Sequence, residues 1–132
     1  MIRETNCRLT ELPQVQEALE DLQDRLLTLF PGQISQLLLY GSYSRGEATP
    51  ESDIDVMVVV GWEDPKHPHG LYLGGASDPR WRKIIDTAID VMIDHGPYIS
   101  VLVVGENVFN SGLPVAQAAK EEGQVLWMKQ PI

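Results

Sequence analysis

Asp53 and Asp55 stand two residues apart in a β-branched run, Asp53-Ile54-Asp55-Val56-Met57-Val58-Val59-Val60. Residues two apart in a strand point to the same face, so both carboxylates project together while Ile54 and Val56 face the other side, where a core must lie. Two adjacent carboxylates repel each other unless a cation sits between them. Oxygen donors of this kind suit Mg2+, which takes one or two carboxylates and completes its shell with substrate phosphates and water. On its own, Asp-x-Asp reads first as the solvated end of a strand, so the surrounding sequence has to decide.

The upstream segment supplies what a phosphate would need. Leu38-Leu39-Tyr40 runs into Gly41-Ser42-Tyr43-Ser44-Arg45-Gly46. Gly41, lacking a side chain, lets the backbone approach a ligand closely. Ser42 offers a hydroxyl and a backbone N–H, and a helical turn over 43–47 would aim further N–H groups at the same place. Arg45 can add charge-assisted hydrogen bonds to phosphate, or pair with Glu47 or Glu51. A lone Gly-Ser is an ordinary turn. Ten residues separate Ser42 from Asp53, however, and the two halves are flanked by strand-like runs.

Gly-Ser, a ten-residue gap and Asp-x-Asp, here Gly41, Ser42, Asp53 and Asp55 with Arg45-Gly46 and Ser52 in place, resemble the signature of nucleotidyltransferases of the DNA polymerase β type. The short chain resembles in particular the minimal nucleotidyltransferases that act as antitoxins of HEPN-domain ribonucleases. That resemblance implies a nucleotide site at Gly41, Ser42 and Arg45, with Asp53 and Asp55 as catalytic metal ligands. It also implies Mg2+ as cofactor, ATP as donor, and transfer of AMP to a tyrosine of a HEPN toxin. Active members carry a third carboxylate on the strand corresponding to 99–104, which reads Ile99-Ser100-Val101-Leu102-Val103-Val104 and has no acid. Ser100 stands at that place. Without a third carboxylate, activation of the acceptor should be weaker. A phenol, with a pKa of about 10, tolerates that loss better than an aliphatic alcohol. Two alternatives stand beside the transferase: a module that neutralises its partner by binding alone, and an enzyme that modifies a small molecule such as an antibiotic.

Other groups read more plainly. His67 and His69 form a His-x-His pair without a third ligand nearby, which fits an exposed loop. His95, closing a helix, suits the negative end of its dipole. Arg80, Arg82 and Lys83 form the local basic cluster beside Trp81, and fit an exposed helix start as well as a phosphate contact. Trp62, Tyr72 and Trp81 could stack on a base or pack beneath a loop.

The elements that must position the motif follow from periodicity. Leu12, Val15, Leu19, Leu22, Leu26 and Leu29 fall on one stripe of a helix over 11–30, with Thr10 as cap, Pro13 in the first turn and Pro31-Gly32 as stop. Residues 34–40 read as a buried strand, 41–51 as a loop with at most one helical turn, and 53–60 as a second strand. Residues 62–79, rich in proline and glycine, read as a long insertion. A second amphipathic helix spans 80–95, with Ile84, Ile85, Ala88, Val91 and Met92 inward and Gly96-Pro97 ending it. A strand over 99–104, a short helix over 116–122 and an edge strand over 125–127 complete an α/β (α+β) fold, a small mixed sheet flanked by helices.

Composition sets the outer limits. The 132 residues fit one compact domain, which the resemblance makes a single nucleotidyltransferase domain, 1–132, and 43% hydrophobic content supports a real core. A net charge of −9 without a basic stripe argues against broad nucleic-acid binding. A single cysteine, Cys7, excludes an intramolecular disulfide. The longest apolar run, Val56 to Val60, is too short to span a bilayer, and no signal peptide is evident. Cytoplasmic location is the expectation, and a homo- or hetero-oligomer is compatible with it.

Overall fold

The computed structural model describes residues 13–49, 52–62 and 78–130. Helix α1 (Pro13–Leu29) leads into strand β1 (Ile34–Tyr40), and β2 (Ile54–Val60) follows. Helix α2 (Pro79–His95) then precedes β3 (Ile99–Gly105), the short α3 (Glu106–Phe109), α4 (Pro114–Glu122) and β4 (Gln124–Met128). The strands form one mixed four-stranded sheet in the order β3-β2-β1-β4. β1 is antiparallel to β2 and β4, whereas β2 and β3 run parallel, joined through α2.

Helix α1 buries Val15, Leu19, Leu22 and Leu26 of the stripe its spacing predicts, and Ala18 beside them, whereas Leu29 at the helix end is exposed. The Thr10 cap and Leu12 lie outside the described residues. Helix α2 begins at Pro79, one residue earlier than expected, because the Asp78 carboxylate accepts hydrogen bonds from Arg80 N (2.9 Å) and Trp81 N (3.5 Å). Asp78 and Pro79 therefore belong to the helix start rather than to the insertion, a capping signal overlooked in a proline-rich stretch. Gly96 ends α2 with its N–H on the Met92 carbonyl at 2.8 Å.

The sheet is covered on both faces. On one, α1 and α2 pack over Ile54, Val56, Val58 and Val60 in the larger hydrophobic cluster. On the other, Met57 and Val59 are covered by Val108 and Phe109 of α3 and Ala116 and Ala119 of α4. The core thus extends beyond the Ile54 side that strand alternation predicts, and α3, only one turn long, has no periodicity to reveal it in the sequence. Helix α4 starts at Pro114 rather than Ala116, again with proline in the first turn. Gly123 follows it in a space that admits no side chain: an added Cβ would meet the Ala119 carbonyl oxygen at 2.2 Å. That tight passage lets β4 turn back and pair with β1, Leu39 opposite Gln124.

Candidate functional site

The C-terminal end of β1 and the N-terminal ends of β2 and β3 meet at one end of the sheet. The β1–β2 register sets Tyr40 opposite Asp55, and the β2–β3 register sets Asp55 beside Ser100. Three adjacent strands therefore present Gly41-Ser42, the two aspartates and Ser100 in that lateral order.

Gly41 is required twice over. Its φ of +75° lies in the left-handed region that side chains rarely adopt, and a Cβ there would stand 2.3 Å from Asp55 Oδ2. The Asp55 carboxylate thus lies against the bare backbone of the turn. Beyond it the chain closes into a hydrogen-bonded turn, with Arg45 N donating to the Gly41 carbonyl (3.3 Å) and Glu47 N to the Ser42 carbonyl (2.8 Å). The Ser44 hydroxyl donates to the same Gly41 carbonyl at 2.8 Å. Tyr43 and Ala48 are buried in the larger cluster and pin this polar loop to the core. Both lie in the segment expected to be a loop. Their apolar character in a Gly/Ser/Thr-rich stretch was the available signal.

Asp53 is exposed and Asp55 half-buried. Burial raises the Asp55 carboxyl above its usual range, the Asp53 charge raises it further, and Arg45 works in the opposite sense. No group of three or more His, Cys, Asp or Glu able to hold a metal occurs among the described residues. The donor set fits a Mg2+ ion that takes two carboxylates from the protein and its remaining ligands from phosphate and water.

Arg45 is engaged elsewhere. Its Nε pairs with Glu47, as one sequence reading allowed, and its Nη1 lies 3.5 Å from Glu122 at the end of α4. Glu122 is distant in sequence and was not anticipated; only the folding of α4 onto β1 brings it there. Both pairs are solvent-exposed, so exchange of these partners for a phosphate would cost little. Glu51 lies outside the described residues.

The remaining candidates are placed away from the carboxylates or beyond view. Trp62 packs on Phe30 at a centroid distance of 5.4 Å, and the Arg80 guanidinium sits 4.7 Å over its ring. Trp62 and Trp81 both pack against the larger cluster, which accounts for their aromatic surface. His95 does close α2, and its Nε2 meets Asp21 Oδ2 at 2.8 Å, linking α2 to α1. His67, His69 and Tyr72 lie outside the described residues.

The nucleotidyltransferase domain model matches residues 19–124. A Methanocaldococcus jannaschii relative named "Putative protein adenylyltransferase MJ0604" is 27% identical over 85% of this chain and 97% of its own. Among solved structures, a toxin–antitoxin crystal structure with AMP-PNP superposes with a TM-score of 0.52 at 20% identity, over 84% of this chain and 74% of that one. A crystal structure from Sulfolobus solfataricus named "putative nucleotidyltransferase" superposes with a TM-score of 0.57 at 14% identity, over 88% and 84% of the two chains. The fold shared with these structures is the polymerase β-like nucleotidyltransferase core. No helix of the described residues is long and apolar enough to cross a membrane.

Proposed function

Since the chain belongs to the nucleotidyltransferase domain family, we propose that it binds ATP with magnesium and transfers AMP to a tyrosine of a partner protein. The observation that carries this reading is the Asp55 carboxylate lying against Gly41, a backbone turn that no side chain obstructs, with Asp53 alongside. A triphosphate seated on the Gly41-Ser42 turn would bring its oxygens to the aspartates. Asp53 and Asp55 would hold the Mg2+, which supplies the positive charge that phosphoryl transfer requires when it is bound. Ser42 and the backbone N–H groups of the turn hold the terminal phosphates. Arg45 exchanges Glu47 and Glu122 for a phosphate oxygen. The acceptor oxygen bonds to the α-phosphorus, the bond to the β-phosphate bridge breaks, and pyrophosphate leaves.

The protein acceptor is supported by the name of the M. jannaschii relative, and the antitoxin role by the toxin–antitoxin structure with AMP-PNP. On this reading the 132 residues act as one domain, and a HEPN toxin carries the acceptor tyrosine. A second reading has one observation in its favour: the position beside Asp55 on β3 is Ser100, not an acid, so the protein could bind nucleotide and neutralise its partner by contact alone.

The test is incubation with the partner, ATP and magnesium, followed by mass spectrometry of the partner. An adenylyl increment on tyrosine that disappears in Asp53→Ala is the expected result. An unmodified partner under every metal condition, with nucleotide binding intact, would establish the contact-only reading instead.

A further inference from the structure

We propose that Tyr98 is an acceptor for the same transfer, so that the protein adenylylates itself beside its own carboxylates; this rests on the nucleotidyltransferase reading above. The β2–β3 ladder pairs Ile54 with Ile99 and Asp55 with Ser100, and Ile54 N donates to the Tyr98 carbonyl at 2.9 Å. Carried one residue back, this register sets Tyr98 beside Asp53. Ile99 is buried in the α1/α2 cluster, so alternation along β3 puts Ser100 on the opposite face, that of the aspartates, and Tyr98, the residue just before β3, continues that alternation. Tyr98 is 63% exposed, a large phenol at the edge of the candidate site with nothing packed over most of it.

Lateral order gives this position its meaning. The phosphate-holding turn lies at the end of β1, the carboxylates stand at the start of β2, and Tyr98 is on the far side, just before β3. A donor nucleotide would thus approach from one flank of Asp53 and Asp55, and Tyr98 lies on the other, its backbone about one strand spacing (~4.8 Å) from that of Asp53. In-line displacement at phosphorus requires the attacking and leaving oxygens on opposite sides. Phenols also need less help with deprotonation than aliphatic alcohols, which suits a strand that offers Ser100 instead of an acid.

The step balances without another reactant. Tyr98 Oη bonds to the α-phosphorus of ATP, and the bond between that phosphorus and the bridging oxygen breaks. Pyrophosphate leaves with the electron pair, and the phenolic proton passes to water. The product is an O-adenylyl tyrosine that occupies the acceptor flank.

Intact-mass and fragment-ion spectrometry of the purified protein, before and after incubation with ATP and magnesium, tests this directly. The expected result is one adenylyl increment localised to Tyr98, absent in Tyr98→Phe and in Asp53→Asn. Calorimetry with a non-hydrolysable ATP analogue should give Tyr98→Phe the native affinity within about twofold, and Asp53→Asn a loss of about tenfold or more. An increment on Ser100 or any other residue, or one that persists in Tyr98→Phe, overturns the proposal. An unmodified protein that still modifies its partner also overturns it and leaves the broader reading intact. Absence of both modifications, with no nucleotide binding, removes the broader reading itself.

Discussion

At the residue scale, Gly41 and Asp55 are a single feature, because the carboxylate occupies the space a side chain at 41 would need. Gly41→Ala should therefore strain the turn, at a cost of about 1–3 kcal/mol. It should also weaken magnesium–nucleotide binding by about tenfold or more, as measured by thermal melting and calorimetry. Asp55 illustrates the tension between stability and function. Its folded pKa is raised, first by burial and then by Asp53. Any stability it contributes is full below the ordinary carboxylate value of about 4 and is lost as pH rises through the raised folded value. At neutral pH its ionised form opposes folding. Asp55→Asn should thus raise the melting temperature of the nucleotide-free protein at pH 7, with the gap closing in acid, while abolishing magnesium-dependent nucleotide binding. A lower melting temperature at pH 7 would contradict this account of the pair.

At the element scale, α2 is held at both ends. Asp78 caps its start, and Asp78→Ala should cost about 1 kcal/mol in chemical denaturation. At its other end, Arg25 on α1 bonds Asp21 at 2.9 Å and Asp94 at 2.6 Å, and His95 bonds Asp21 at 2.8 Å. Hydrogen bonds from Arg25 and then His95 hold the Asp21 carboxyl below its usual range. A depressed folded pKa contributes stability above the unfolded value and loses it as pH falls through the folded one. Asp21→Asn should therefore lower the melting temperature at pH 7, and the difference from native should shrink below about pH 4. Because these groups are partly exposed, added salt should shrink it too. The helix stripe of α1 was legible from spacing alone. The link to α2 was not, because Asp21 and His95 are 74 residues apart.

At the scale of the whole molecule, the sheet carries two unequal cores, and the smaller one lies on the face that bears the aspartates. Phe109, buried in that cluster, helps to seat α3 and α4 over Met57 and Val59. Phe109→Ala should cost about 3–5 kcal/mol, a large fraction of the roughly 5–15 kcal/mol typical of a domain. Urea unfolding would measure it. A loss below about 1 kcal/mol would show that the second layer is dispensable. The same layer delivers Glu122 to Arg45, so the free charge available to a phosphate depends on how α4 packs.

The local sequence determined the elements and the spacing of the candidate site. Alternation puts Asp53 and Asp55 on one face of a strand, Gly41 ends the preceding strand, and helical periodicity defines α1 and α2; each is a property of a few consecutive residues. Tertiary structure decided what those residues meet. That the Asp55 carboxylate fills the space beside Gly41, that Glu122 pairs with Arg45, and that Ser100 stands beside Asp55 all follow from strand register and helix packing. Those contacts join segments far apart in the chain, and no local pattern encodes the register between them.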